Sequence, residues 1–388
     1  MKKTVLRELK HPVAIAMWDF SWLIRSHKGG GFEDWDKALD ELVERGYNAI
    51  RIEVFPHLVA CDDREEFLFP FVEGKNGIWE NQQDFVANPK KALLEFLPKC
   101  HERGIYIALS SWMYQPELPP KTIGLQGFIT IWEKTLDFLQ KNELLGNILY
   151  VDLLNEYPLW NGFTELKKEA LDCDRVSTDI VNTHMQKEGV SDFGERGKIF
   201  LKQFSRKAVN YFQNKWSQLD FGFCITANAD DFKPELSADY SAFDFLDLHI
   251  WFVHNKAMNH FQDKIDNLNT EAKEKEFMLD INKYWTENKE KMKKWMEENF
   301  KKFYQLSKQY KVPLGNTEGW GLISWPQYTH DWDFIKEAAE ICVDLSLKYN
   351  YKFICTSNFT HPHFLELWAD IDWHKQITNK IKSKKLIY

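Results

Sequence analysis

The feature that most constrains this chain is an alternation that runs along its whole length. Short apolar runs of strand character give way to longer amphipathic stretches of helical period, and the pattern then repeats. Val13 to Met17 reads as a first strand and Phe32 to Arg45 as the helix after it, with Gly46 as the stop. Ala49 to Phe55 and Lys90 to Arg103 repeat the unit, and Gly104 ends it. Further strands are expected over residues 105–110, 147–154, 221–227, 245–251, 312–317 and 351–356. Helices are expected over about 128–142, 195–216, 288–310 and 332–349. Eight strands joined by helices favour a closed barrel over an open doubly wound sheet, which more often carries a glycine-rich phosphate turn after its first strand. Gly29-Gly30-Gly31 lies beyond that position and lacks the spacing.

The expected architecture is therefore an α/β fold, a (β/α)8 TIM barrel occupying residues 1–388 as one domain. Two connections are long, Tyr157 to about Gly194 and Phe252 to about Glu287. Both leave the C-terminal face of the strands, where they are expected to wall a pocket. The second is rich in Lys, Glu and Asn and reads as including solvated helix.

Composition narrows the function classes. With 44% apolar and 28% charged residues, the chain can fill a core and is not disordered. The 50 Lys+Arg against 58 Asp+Glu leave a net charge of -8, so neither nucleic acid nor an anionic membrane is expected as a partner. No stretch approaches the roughly 20 consecutive apolar residues of a membrane helix. Arg7, Glu8 and Lys10 interrupt any signal-like segment, so the protein reads as cytoplasmic, or as exported with its signal already removed. Cys61, Cys100, Cys173, Cys224, Cys342 and Cys355 are scattered without a C-x-x-C pair and are expected as reduced packing residues. Oligomeric state has no sequence signature here. Aromatic residues, at 15%, are the outlier, and tryptophan offers a flat face suited to the C–H surface of a sugar as well as to a core.

The chemistry gathers at two strand ends. Glu156 closes the apolar run that begins at Leu149, and Glu318 closes the run that begins at Val312. On strands four and seven of a barrel both carboxyls would project over one mouth. Glycosidic cleavage needs such a pair: one group protonates the leaving oxygen while the other attends to the oxocarbenium-like carbon. A glutamate at a strand end can equally be an ion-pair partner, so the pair alone does not decide the matter.

The surrounding motifs do more. Asn155-Glu156 after an apolar strand bearing Asp152, Thr317-Glu318-Gly319-Trp320-Gly321 at strand seven, and Ile50-Arg51-Ile52 on strand two resemble the clan A glycoside hydrolases, and within them the family five cellulase-like enzymes. The resemblance runs from Trp18 to about Trp368. It implies an eightfold barrel and a retaining mechanism acting on β-linked, neutral gluco- or manno-configured oligosaccharides. By this resemblance Glu156 would be the general acid/base and Glu318 the nucleophile. Asn155 would bind the hydroxyl beside the reacting carbon, and Arg51 would lie near the nucleophile. His249 and Trp251 stand where related enzymes carry a His or Tyr touching the nucleophile.

Further substrate-facing candidates are Trp18, Asp19 and Trp22 after strand one, His57 after strand two, and Trp112 after strand three. Trp320 and Trp325 follow the nucleophile, and Asn358 lies beyond strand eight, with His361, His363 and Trp368 in the same region. Packing and loop capping are the competing roles for all of these. Two departures bear on the subfamily: Tyr157 intervenes between Glu156 and Pro158, and Glu318 is followed by Gly319-Trp320-Gly321. The His361-Pro362-His363 triplet lacks a third ligand at regular spacing, so neither metal nor cofactor is called for.

The acid must hold a proton near neutral pH, whereas Glu318 must stay anionic, with Arg51 expected to keep its carboxyl low. Retention calls for carboxyl groups about 5 to 5.5 Å apart, inversion for about 6.5 to 9.5 Å. The competing functions are a carbohydrate-binding barrel without catalysis and a structural or partner-binding barrel.

Overall fold

All eight expected strands form, and each lies beside its predicted neighbours. In the computed structural model, which describes residues 2–71, 83–114, 124–159, 161–174, 193–226, 238–265, 268, 270–321 and 332–387, they are β1 (Val13–Asp19), β2 (Ala49–Glu53), β3 (Tyr106–Ser110), β4 (Ile148–Asp152), β5 (Phe221–Gly222 and Ile225–Thr226), β6 (Leu246–His249), β7 (Leu314–Asn316) and β8 (Phe353–Cys355). All neighbouring pairs are parallel, in the order β5-β4-β3-β2-β1-β8-β7-β6. The second half of β5 pairs with β6, so the sheet returns to its starting strand and closes. The break at Phe223–Cys224 has a local cause: the Cys224 amide turns from the ladder to the Asp152 carboxylate, 2.8 Å away.

Helices cover the outside. Trp35–Glu44 starts on an Asp34 cap and Pro89–Glu102 on an Asn88 cap, each side chain accepting a first-turn amide. The connection from Phe252 differs from expectation. It holds a short turn (Phe252–His254), a helix (Asn259–Ile265), and then the start of a 40-residue helix, Glu271–Tyr310, which begins well before residue 288. Phe277, Met278, Ile281, Trp285, Met292, Met296, Phe300 and Phe303 form its buried stripe, at spacings of a helical face. Lys and Glu between them mask that stripe in sequence. In the other long connection, Thr164–Cys173 is helical, and residues 175–192 lie outside the described residues.

The barrel interior is divided by depth. Its lower half is apolar: Tyr150 packs on Phe245 and Phe353 at ring-centroid distances of 4.2 and 4.9 Å, and Leu6 and Leu9 of the N-terminal segment close the floor. Burying each such ring is worth about 1.5–3 kcal/mol. Gly315 on β7 makes room for one of them, since a Cβ there would stand 2.3 Å from the Phe353 ring. Above this layer the inward side chains become polar. No helix among the described residues is long and apolar enough to cross a membrane.

Candidate active site

Arg51 on β2 is the hub of the polar layer. Fully buried, it places Nη1 3.3 Å from Glu318 Oε2 and 3.3 Å from Thr317 Oγ1, Nη2 3.1 Å from Ser110 Oγ, and Nε 3.4 Å from Asp19 Oδ1. Nη2 also donates to the side-chain oxygen of Asn155 and lies 3.8 Å from Asp152 Oδ2. Burial alone would weaken the guanidinium's hold on its proton, but Asp19, Glu318 and Asp152 outweigh that and hold it well above its ordinary value.

His249 ends β6 and bridges the two glutamates. Its Nδ1 lies 3.1 Å from Glu156 Oε1 and 3.4 Å from Glu318 Oε2, while Nε2 faces Thr317 Oγ1 at 3.2 Å and Asp247 Oδ1 at 3.7 Å. Burial favours the neutral ring, yet Glu318 and Asp247 overcome it and raise the imidazole well above its usual range. Asp247 in turn is fixed by the Thr317 amide and hydroxyl at 2.9 and 2.6 Å and by the Tyr150 hydroxyl at 3.0 Å. Burial opposes its charge, but His249 and Arg51 prevail and keep the carboxyl low.

Glu156 and Glu318 thus meet over one mouth, each only 6% exposed. Glu156 sits at φ +44°, a left-handed backbone, four residues beyond the end of β4. The Asn155 amide donates to Ser111 O at 2.7 Å and the Tyr157 amide to Cys224 O at 2.9 Å, which holds the turn from both sides. The peptides Tyr157–Pro158 and Gly319–Trp320 are cis. The expectation that Arg51 keeps Glu318 low is corrected. Burial pushes that carboxyl up to about 8; His249 and Arg51 pull it down, and Glu156 adds to the rise. Six carboxyls, Asp19, Glu53, Asp152, Glu156, Asp247 and Glu318, share this layer with two cations, Arg51 and His249. Burial likewise raises Asp19 and Asp152, each against the pull of Arg51, and raises Glu53 to about 8.

Glu156, His249 and Glu318 present donor atoms within 4.8 Å of one another, close enough to share a cation. A ligating imidazole must be neutral, however, and this ring is held in its protonated form by the acids around it. The donor set suits a shared proton better than a metal. His361 and His363 are buried with ring centroids 4.9 Å apart, outside that cluster.

The remaining candidates divide. Asp19 is occupied by Arg51 and by Trp112 Nε1, 3.1 Å away, so it orients those groups. Trp112 stacks on Tyr114 at 5.8 Å, and His57 Nε2 lies 2.7 Å from the Tyr114 carbonyl, an indirect role beneath the rim. Trp251, two residues beyond β6, is 6% exposed, its amide facing His254 Nδ1 at 3.4 Å. Asn358 accepts the Gly319 amide at 2.9 Å and donates to Met17 Sδ at 3.2 Å, which makes it a brace for the turn after Glu318.

Three tryptophans are corrections. Trp18, Trp22 and Trp320 are at most 1% exposed. Their indole N–H groups donate to Thr360 O, Glu53 O and Cys355 O at 3.0, 2.9 and 3.0 Å, and their faces pack on Phe32, Phe96 and Phe300, respectively. An indole satisfied by a distant carbonyl is a core residue, and neither composition nor position revealed those partners. Trp325 lies outside the described residues.

Sequence reasoning missed Ser110, Cys224, Asp247, Glu53 and Tyr114. Asp247 and Glu53 stand two residues from His249 and Arg51 on the same strands, and period-two alternation could have found them. Glu53 accepts the Phe55 amide at 2.6 Å and the Trp112 amide, tying together the ends of β2 and β3. Tyr114 is half-buried at the rim; burial, then the charges of Glu156 and Glu318, push its phenol up to about 12.

The comparisons with known proteins agree with this geometry. A family model described as cellulase-like, sugar-binding cellulase-like, matches residues 15–382. The crystal structure of a candidate glycoside hydrolase from Parabacteroides distasonis ATCC 8503 is 28% identical, with 98% of this chain and 96% of that chain covered at a TM-score of 0.81. A GH5-4 broad specificity endoglucanase from Clostridium longisporum shares the fold at 11% identity, 99% coverage of both chains and a TM-score of 0.51. No curated protein matches. The barrel, its ring of strand-end acids and the match over nearly the whole length place the chain in the sugar-binding cellulase-like family, among the clan A glycoside hydrolases.

Proposed function

We propose that the protein is a retaining glycoside hydrolase that cleaves β-linked, neutral gluco- or manno-configured oligosaccharides by double displacement. One observation carries the reading: Glu156 and Glu318 reach into one mouth with oxygens within 4.8 Å of each other, joined through His249. So close an approach supports the short carboxyl separation of about 5 to 5.5 Å of a nucleophile and its acid/base partner over the about 6.5 to 9.5 Å of inversion.

In the first step a Glu318 carboxylate oxygen bonds to the anomeric carbon while Glu156 gives its proton to the departing glycosidic oxygen. In the second, Glu156 takes a proton from water as that water displaces Glu318, and two inversions restore the configuration. The raised Glu318 value means that the buried pair keeps a proton near neutrality. Catalysis requires that proton on Glu156, and Arg51, which reaches Glu318 at 3.3 Å, favours charge on Glu318. Asn155 is placed to meet the hydroxyl next to the reacting carbon. The excess of acids in the mouth supports a neutral sugar, because an anionic one would be repelled.

The test is incubation with 2-deoxy-2-fluoro β-glucosyl and β-mannosyl fluorides, followed by peptide mapping. Mass addition on the peptide carrying Glu318, together with release of aryl β-glycosides by the wild type, is the expected result. No turnover of any aryl β-glycoside or oligosaccharide, with Glu318→Ala indistinguishable from wild type, would end the proposal. Sugar binding without turnover, unaffected by Glu156→Gln, would favour a carbohydrate-binding barrel instead.

A further inference from the structure

Four hydrogen bonds tie Cys224 to one short segment, residues 152–157, and Arg51 Nη2 stands 4.0 Å from its Sγ. Its amide donates to Asp152 Oδ1 at 2.8 Å, and its carbonyl accepts the Tyr157 amide at 2.9 Å. Its Sγ accepts the Glu156 amide at 3.0 Å and donates to Asn155 Oδ1 at 3.3 Å. The residue is fully buried at the break in β5, and the ladder bonds that β5 gives up there are replaced by these. The segment needs such a hold, because Glu156 occupies a left-handed backbone, φ +44°, that a residue with a Cβ adopts only when its surroundings impose it.

The same contacts settle the Asn155 amide. Its oxygen receives two donors, Arg51 Nη2 and the Cys224 thiol, so the NH2 end is turned the other way. A thiol suits this double duty, accepting from one neighbour and donating its single proton to the next. Burial, reinforced by Asp152, keeps the group a thiol.

We propose that Cys224 is a positioning residue for the acid side of the reaction, holding the backbone on both sides of Glu156 so that its carboxyl reaches the leaving oxygen. The inference rests on the glycosidase reading above. It sets Cys224 apart from the buried cysteines Cys100, Cys342 and Cys355, which serve packing.

The experiment compares kcat/KM for phenyl, 4-nitrophenyl and 2,4-dinitrophenyl β-glucosides and β-mannosides in the wild type, Cys224→Ala and Cys224→Ser. Dinitrophenolate leaves without a proton, whereas phenol needs the one Glu156 supplies. Cys224→Ala is expected to lower the phenyl glycoside value about tenfold or more while the dinitrophenyl value stays within about threefold, so dependence on leaving-group basicity steepens. Cys224→Ser, whose hydroxyl accepts and donates in the same sense, should recover most of the loss. Should the alanine variant fail to fold, Cys224→Val, which keeps the bulk but neither accepts nor donates, carries the same comparison, with the same steeper slope expected. An equal loss on all leaving groups, or none, in an active enzyme overturns the role of Cys224 alone. A wild type that turns over no glycoside removes the glycosidase reading, and this inference with it.

Discussion

The two ends of the barrel treat buried charge in opposite ways. At the floor, Asp220 and Asp244 face Lys2 and Arg7: Lys2 Nζ lies 2.7 Å from Asp244, and Arg7 lies 3.4 Å from Asp220 and 3.3 Å from Asp244. Thr4 and Gln213 add hydrogen bonds, and Lys352 stands near as a third cation, its ammonium 3.1 Å from Leu6 O; burial still raises Asp220, with Asp244 adding to the rise against Thr4, Lys2 and Arg7. At the mouth, six acids meet Arg51 and His249. The floor sets its acids against cations and joins the N-terminal segment to β5 and β6. The mouth has more acids than cations, an imbalance that bound protons relieve, and a proton that burial holds on such a carboxyl is available for transfer. Strand ends on one face of a barrel serve chemistry, those on the other stability, and here the charge ratio distinguishes them.

The sharpest way to break this contrast is Glu318→Gln. Turnover of aryl β-glycosides is expected to fall by about a thousandfold or more, with no loss in melting temperature, because the substitution removes a buried acid from a site with too many. A parallel loss of stability, read by calorimetry, would mean that the mouth is as balanced as the floor. The pH dependence sharpens the same point. A carboxyl raised from 4.5 to about 8 binds its proton more tightly in the folded chain, so its contribution to stability is complete below about 4.5 and is lost as pH rises through about 8. The advantage of Glu318→Gln over wild type in melting temperature should therefore widen between those values and level off above.

At the floor the acids face cations directly. Asp220→Ala leaves Arg7 and Lys2 short of a partner and is expected to cost about 3 kcal/mol by denaturant unfolding, while kcat/KM of the folded fraction changes less than about twofold. A fall in kcat/KM at constant stability would join floor to chemistry and undo the comparison. The smallest effect expected is that of Trp112→Phe, which withdraws the indole N–H from Asp19 but keeps the ring beside Tyr114. KM should rise by about two- to fivefold with kcat little altered, in steady-state assays on the same glycosides.

Much of this was legible in the sequence, and the exceptions have physical causes. The strands could be read because parallel strands buried on both faces are unbroken apolar runs, and their ends because polar residues begin where the barrel opens. Glu156, Glu318, Arg51, Asn155 and His249 converge as their positions at those ends require. The start of the Glu271–Tyr310 helix was hidden, since Lys and Glu dominate its outer face and dilute the stripe that packs. Trp18, Trp22 and Trp320 were misplaced because a tryptophan's role depends on where its N–H finds an acceptor, and Thr360, Glu53 and Cys355 are remote in sequence or out of register. Cys224 had no signal at all: a lone cysteine in an apolar strand reads as packing until its four contacts are seen.

Gly315 has a consequence for anyone modifying this protein. It precedes Glu318 by three residues on the same strand and yields its side-chain space to a ring wedged among other aromatics. A methyl group added there, the kind of change commonly made to stiffen a backbone, would have to displace Phe353 or push β7 outward, and the nucleophile would travel with the strand. Thermostabilisation campaigns on this scaffold should leave that position alone and look to the helical exterior, where a shifted backbone does not reach the anomeric carbon.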